Sequence, residues 1–342
     1  MKLGELATAL GLTLHGDAEQ LVVSLAPLDS AGPGELSFAI GRKHLDGLRR
    51  SQAGALIVTP ALVEEVSGSC LSSADPYASY AQASWLLQPE KRPAAGIHAS
   101  AQIDETATIA ASASIGAFAI IGANTSIGEE VIIGCHSLLA NNVHIGANTR
   151  LFPGVVVYER VSIGSDCRVQ SGAVIGAEGF GYASTANGWQ AIQQTGGVQI
   201  GDRVHIGANT TIDCGAMDPT VIASGVILDN QIQIAHNVQI GENTAIAGCV
   251  GIAGSTKIGD NCQIGGACNI VGHISIADGV VLNAASLVTR SIADAGRYSS
   301  GMPLLSSGAW KRSYVILSRL NDLLHRVRKL ERGHSRPEPS ED

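Results

Sequence analysis

Beginning at Ile97 and stepping by six, the chain places an aliphatic residue at every position through Ile175. The series is Ile97, Ile103, Ile109, Ile115, Ile121, Ile127, Ile133, Leu139, Ile145, Leu151, Val157, Ile163, Val169 and Ile175. Ile, Leu and Val make up about a quarter of the sequence, so fourteen successive hits have a chance probability of about four in a billion. The phase breaks over 176–199 and resumes at Ile200, Ile206 and Ile212. After four extra residues it runs from Ile222 through Leu228, Ile234, Ile240, Ile246, Ile252, Ile258, Ile264, Ile270, Ile276 and Leu282 to Val288. A period of six fits neither the 3.6 of a helix nor the two of a plain strand. It fits a triangular prism in which one hexapeptide makes a flat side and a corner, and three make a coil. The aliphatic residue points inward, and the small residue beside it, often Gly, is expected to let the chain turn. Twenty-nine such positions give roughly ten coils, about 48 Å at about 4.8 Å per coil.

The flanks lack this period. Residues 1–95 alternate short strands, such as Ala55-Leu56-Ile57-Val58, with helical stretches, and Asp75-Pro76 is an N-cap and first-turn proline for a helix through Leu87. A small α/β domain is expected there, with 89–93 as linker. The prism takes 96–303. A C-terminal extension over 304–342 should carry one helix over 308–332 and a disordered tail. Its residues Ile316, Leu320, Leu323, Val327 and Leu330 form a narrow apolar seam. Lys311, Arg312, Arg319, Arg326, Arg328 and Lys329 outnumber Asp322 and Glu331 between 304 and 331. In a chain of net charge −8 that is a local reversal. It reads either as a solvated face or as a landing site for an acidic partner.

Composition narrows the class. Aromatics are 4% and hydrophobic residues 45%, which suits a scaffold of β-branched and small side chains. The acidic total gives no nucleic-acid surface. The seven cysteines are odd in number and show no CxxC pair, so reduced thiols in a cytoplasmic protein are expected. The N-terminal stretch is amphipathic and carries Glu5, unlike a secretory signal. No apolar run reaches the roughly 18 residues of a membrane span.

The phase breaks mark candidate chemistry. The insert at 177–199 concentrates Phe180, Tyr182 and Trp189, with Asn187-Gly188 as a turn signal. It reads either as a hairpin packed on its own prism or as a flap over a substrate groove. His236 lies two residues past the inward Ile234 and should point outward. His273 lies three past Ile270, and the separation of two coils plus one residue lets both face one cleft. A zinc site built from His205, His236 and His273 has the wrong ligand spacing, and no metal is expected.

Residues 213–255, with IDCGAMDPT and DNQIQIAHNVQIGENTAIAGCVGIAGS, resemble the UDP-3-O-(3-hydroxyacyl)glucosamine N-acyltransferases of lipid A biosynthesis, within the hexapeptide-repeat acyltransferase superfamily. GAEGFGY at 176–182, IGGACNIVGH at 264–273 and YSSGMPL at 298–304 extend the resemblance over nearly the whole chain. It implies a left-handed parallel β-helix, a homotrimer with active sites in grooves between prisms, and direct transfer of a 3-hydroxyacyl chain. The donor would be the phosphopantetheine thioester of acyl carrier protein, with no other cofactor. The acceptor would be the 2-amine of a UDP-3-O-acylglucosamine. On the matching motifs, His236 is the general base, the Gly254 N–H an oxyanion donor, and His273 a support to the same site. Asp229 is expected to fix the His236 tautomer. Phe180, Tyr182 and Asn237 are expected to meet substrate. The N-terminal domain would hold the uracil through Phe38 and His44, in the segment 37–44.

Overall fold

In the computed structural model, residues 1–41, 44–301 and 303–333 are described. The chain forms two compact units, Met1–Pro93 and Ala94–Asp342.

The first unit is a five-stranded sheet with helices. In chain order its elements are α1 (Leu3–Leu10), β1 (Thr13–His15), β2 (Ser24–Leu25), β3 (Glu35–Ala39), α2 (Leu45–Arg50), β4 (Ala55–Val58), β5 (Ser69–Ser72) and α3 (Pro76–Leu87). The strand order is β1-β5-β4-β3-β2, with only β1 antiparallel to its neighbour. Every residue of β4 is buried, as a central parallel strand covered on both faces requires. α3 begins as its sequence dictates: Asp75 Oδ1 accepts hydrogen bonds from the backbone N–H groups of Tyr77 and Ala78, and Pro76 occupies the first turn.

The second unit is a mainly β, left-handed parallel β-helix. Its three sheets hold ten, nine and eleven strands. Inward residues stack in register eighteen apart, as in Ile103, Ile121, Leu139 and Val157. They form a single continuous core.

A second inward column runs two residues earlier in each hexapeptide and is filled by small side chains: Thr125, Val131, Ser137, Val143, Thr149, Val155. The buried hydroxyls are satisfied within the stack. Thr125 Oγ1 donates to the Ala140 carbonyl at 2.8 Å, and Thr149 Oγ1 to that of Gly164 at 2.7 Å. Cys167, Cys262 and Cys268 stand in this column. They are core residues, and burial pushes the Cys167 and Cys262 thiols up.

The corner geometry differs from the sequence expectation. Among the described residues, each non-glycine with positive φ stands three places past an inward residue; examples are Asn124, Asn142, Asn148, Asn237 and Asn243, at 55–60°. Asn tolerates that region better than other side chains. The glycine beside the inward residue does not supply the turn. It provides clearance: a Cβ on Gly116 would lie 2.7 Å from Cys135 N, and one on Gly134 2.5 Å from Pro153 N, on the next coil.

Two register jumps interrupt the stack. Ile163 pairs with Ile200 across the large insert, and Ile206 with Leu228 across four extra residues. The insert contains an antiparallel hairpin, Tyr182–Thr185 with Gly188–Ala191. Its two-residue loop is Ala186-Asn187, one residue earlier than the Asn-Gly signal suggests. Thr185 Oγ1 accepts the Asn187 N–H at 3.2 Å, and Gly188 takes the positive φ.

The C-terminal segment forms two helices, α4 (Ser307–Ser318) and α5 (Leu320–Gly333), rather than one. The break is at Arg319 (φ −111°, ψ 14°), whose N–H bonds back to the Ile316 and Leu317 carbonyls, while Ser318 Oγ donates to the Val315 carbonyl. A serine hydroxyl returning to its own helix bends it. The seam residues Ile316, Leu320, Leu323, Val327 and Leu330 are all exposed. The expected disordered tail, from 334 onward, lies outside the described residues, as does Met302 of the 298–304 motif. None of the described helices is long and apolar enough to cross a membrane.

Candidate active site

The two jumps meet at one corner of the prism. His236 stands two residues past Ile234, half-buried. Its ring is confined by backbone. A Cβ on Gly254, one coil on, would lie 2.6 Å from both Cε1 and Nε2. A Cβ on Gly179, in the insert, would lie 2.6 Å from the His236 Cβ. Both positions therefore require glycine for space.

The imidazole is oriented by Asn237. The Asn237 side-chain oxygen accepts the Ala216 N–H at 3.1 Å, and its Nδ2 donates to the Asp218 carbonyl at 2.7 Å. Those two bonds fix which end of the amide is oxygen. His236 Nδ1, 3.0 Å from that oxygen, must then be the donor, which leaves Nε2 as the acceptor against Gly254. The four-residue bulge thus acts through Asn237: it assigns the tautomer.

Asp229, expected in that role, does not have it. It follows Leu228 on the eleven-stranded sheet, where Oδ2 accepts the Gly248 N–H and Oδ1 the Asn230 amide, both at 3.0 Å. A second carboxylate, that of Asp213, lies within electrostatic reach of His236. It follows Ile212, whose strand pairs with that of Ile234. Its Oδ2 accepts from Gln233 Nε2 at 2.9 Å, and Thr211 Oγ1 donates to Gln233 Oε1. Burial pushes the Asp213 carboxyl up, while the Gln233 bond and His236 pull it down.

Gly254 presents a backbone N–H that meets no acceptor among the described residues. At several other corners the N–H two past the inward residue is capped by a side chain from the next coil. Asn141 caps Ala123 at 2.9 Å, Asp260 caps Glu242 at 2.7 Å, and Asp278 caps Asp260 at 2.8 Å. Above Gly254 that place is Gly272, which has nothing to offer.

His273 is exposed two coils from His236, about 10 Å along the axis. Its N–H donates to the Gly254 carbonyl at 3.1 Å. It therefore adjoins Gly254 through the backbone. His205 lies on the eleven-stranded sheet, where burial and Arg168 lower its pKa.

A groove of about 510 Å³ runs from this corner along the ten-stranded sheet. Phe180, Asp213 and Gln233 stand at one end, Leu287 at the other, and Ala235, Gly251 and Ala253 form a floor almost without side chains. Phe180 is 85% exposed, and its ring tilts against Tyr182 at 5.1 Å. Both hairpin strands are wholly exposed, so the hairpin does not bury itself on its own prism. The insert is anchored instead by Gln194, which is 6% exposed. Its Nε2 donates to the Ile192 carbonyl, and its carboxamide packs against Gly179 and Gly181.

In the first unit, Phe38 is half-buried on β3, with ring neighbours Tyr80 at 4.7 Å and Tyr77 at 5.4 Å from α3. His44 is exposed at the N-cap of α2. Arg42 and Lys43 of the expected 37–44 segment lie outside the described residues. Tyr77, 63% exposed, is the aromatic surface residue that sequence reasoning missed. So were Asp213, Gln233, Gly179 and Gln194. Only Asp213 left a sequence signal: an acid one past an inward residue, as Asp104 and Asp229 also are, but directly beside a phase break.

A family model and the curated relatives point to one family. A family model for UDP-3-O-(3-hydroxymyristoyl) glucosamine N-acyltransferase, LpxD, matches residues 19–86, and one for bacterial transferase hexapeptide repeats matches residues 142–177. A UDP-3-O-acylglucosamine N-acyltransferase of Pseudomonas fluorescens is 51% identical over 332 residues, covering 97% of this chain and 95% of its own. One from Pseudomonas aeruginosa is 51% identical over 330 residues, covering 96% and 94%. Among solved structures, a UDP-N-acetylglucosamine acyltransferase of Arabidopsis matches 72% of this chain and 86% of its own with TM-score 0.54. At 22% identity that likeness concerns the fold alone.

Proposed function

The chain belongs to the UDP-3-O-acylglucosamine N-acyltransferase family, an acyltransferase family of lipid A synthesis, and we propose that it transfers a 3-hydroxyacyl chain from acyl carrier protein with His236 as general base. The observation that carries this reading is the imidazole whose Nδ1–H is pinned by Asn237 and whose Nε2 packs against Gly254, beside Ala235 and Ala253 of a largely apolar groove.

The chemistry balances on these groups. The neutral amine attacks the thioester carbonyl carbon, forming a C–N bond and an oxyanion. His236 Nε2 takes a proton from the attacking nitrogen. The Gly254 N–H is free to donate to the oxyanion, a kind of interaction worth about 2.7–4 kcal/mol per donor. Collapse breaks the C–S bond, and the imidazolium returns the proton to the departing thiolate. Amide and free phosphopantetheine thiol result, with no acyl-enzyme. The buried cysteines have no part in it.

The groove floor of Ala235, Gly251 and Ala253 suits an acyl chain. The groove is shallow and open, which favours a homotrimer in which a neighbouring prism supplies the second wall. The basic faces of α4 and α5 suit acyl carrier protein, an acidic partner. Phe38 with Tyr77 and His44 suits the uracil of a UDP-sugar in the first unit. A cytoplasmic site of action accords with seven unpaired cysteines.

The test is His236→Ala assayed with 3-hydroxyacyl carrier protein and UDP-3-O-acylglucosamine. General-base loss should lower kcat by at least ~10²-fold with an unchanged thermal midpoint. Retained turnover refutes the base. Equal activity with acyl-CoA refutes carrier-protein dependence. A donor panel of graded chain length locates the end of the groove.

A further inference from the structure

We propose that Asp213 binds the acceptor's protonated amine beside His236, so that this carboxylate selects an amine over a hydroxyl as nucleophile. The inference rests on the amine transfer proposed above and adds to it the group that recognises the reacting nitrogen.

Its position is set by the register. Thr211 and Ile212 pair with Gln233 and Ile234, so Asp213 stands one strand away from Ala235, the residue before His236. The same column continues with Ala235, Ala253 and Val271 along the groove. Among the described residues that line the groove, Asp213 is the single charged side chain, at the end where Phe180 stands.

The carboxylate is half satisfied. Thr211 orients the Gln233 amide, and Gln233 donates to Oδ2 at 2.9 Å. Oδ1 receives no hydrogen bond, and Asp213 makes no ion pair, among the described residues. The titratable side chain that acts on it is His236, which lowers its pKa; Glu178 and Arg160 act on the adjoining Cys214 thiol. A partly buried carboxylate with an open oxygen and no cation is an unfilled receptor for one.

The acceptor chemistry supplies that cation. An amine beside electron-withdrawing substituents titrates near the α-amino range, about 7.7–8, so at neutral pH it arrives largely as ammonium. Docked on Oδ1, it loses one proton to solvent through the open groove. The neutral amine stays held by an N–H to Oδ1, with its lone pair free for the thioester carbon. The proton lost during attack passes to His236 Nε2. A hydroxyl brings no charge and gains far less from the same carboxylate.

Asp213→Asn in the full-length enzyme removes the charge and keeps the volume and the Gln233 bond. Two ligands are compared: the UDP-3-O-acylglucosamine amine, by KM and kcat, and the same sugar with its nitrogen acetylated, by calorimetric titration. Losing a charge-assisted hydrogen bond should raise KM for the amine by roughly tenfold or more. Binding of the neutral acetylated sugar should be unchanged, and the fold intact by circular dichroism. An unchanged amine KM, or equal weakening of both ligands, overturns the role. If the unmodified enzyme acylates the amine and Asp213→Asn does so equally well, this inference alone fails. If the unmodified enzyme transfers no acyl chain to the amine, the proposed activity falls and this role with it.

Discussion

Replacing Gly254 by alanine tests the site where it is tightest. The added methyl carbon would sit 2.6 Å from Cε1 and Nε2 of His236 and 3.1 Å from Cδ2, whereas ordinary contact begins at 3.4 Å. The ring must therefore retreat by about 0.8 Å, the difference of those distances. It has little room to do so. Gly179 crowds the base of the side chain, with its own missing Cβ 2.6 Å from the His236 Cβ, and Asn237 holds Nδ1 at 3.0 Å. A displacement of about 1 Å at a reacting group costs about 10²-fold in rate. We expect kcat for Gly254→Ala to fall by that factor, measured by single-turnover acyl transfer. Gly248→Ala is the control. It stands at the equivalent corner of the adjoining sheet, and its methyl would meet the exposed Asp229 carboxylate at 3.1 Å and the Asn230 carbonyl at 3.3 Å, with no imidazole beside it. Its rate should stay within about threefold of wild type. In a His236→Ala background Gly254→Ala should add little further loss, because both act through one ring. A Gly254→Ala enzyme with more than a third of normal turnover would refute the confinement argument. So would equal losses in the two glycine variants.

Asn237→Ala removes the acceptor of His236 Nδ1–H and strands the Ala216 N–H and Asp218 carbonyl; kcat should fall at least tenfold, and denaturant unfolding should show a loss of about 1–3 kcal/mol. The Asp213 carboxyl is raised in the folded state by burial, so its ionisation costs folding above the unfolded carboxylate value and nothing below it. Asp213→Asn should therefore melt at or above wild type at pH 7, and the gain should vanish as pH falls below about 3.9; a variant less stable at pH 7 contradicts that sign. Reversing Arg319 and Arg326 to Glu should raise KM for acyl carrier protein severalfold, more at low salt, without changing kcat at saturating donor; an unchanged KM removes the helices as its landing site.

The prism was readable because its core admits one residue class at one spacing. Ile97 to Ile175 and Ile222 to Val288 form an unbroken aliphatic series, and stacking eighteen residues apart buries it from Ile115 onward, leaving Ile97 exposed at the prism's first coil. The second inward column was invisible for the opposite reason. Ala, Thr, Val, Ser and Cys all fit its smaller volume, so no single type recurs. The glycine role was misassigned because sequence shows where a glycine is but not why. At Gly116 and Gly134 the neighbouring coil forbids a Cβ, while the left-handed residue lies two places further on. His236 stood out through its family motif. Its true orienting partner did not, because the sequence does not show that the extra residues after Ile212 bring the Ala216 N–H and the Asp218 carbonyl onto the Asn237 amide, nor that Gly248 and Asn230 engage the Asp229 carboxylate.

That difference says how a uniform scaffold comes to hold a reactive corner. The β-helix satisfies much of its corner backbone by lending side chains upward, as Asn141, Asp260 and Asp278 do. Around Gly254 the lending stops: Gly272 has no side chain, and Ala235 stands where Asp229 stands on the adjoining sheet. The freed N–H belongs to the glycine packed against the imidazole that the bulge at 213–219 has locked through Asn237. Chemistry at this corner therefore comes from two opposite changes in a repeating fold. Extra residues add rigidity where the base must not rotate, and missing side chains leave a donor unspent where negative charge will form. Neither change disturbs the inward column, since Ile212, Ile234, Ile252 and Ile270 remain stacked and buried beneath it.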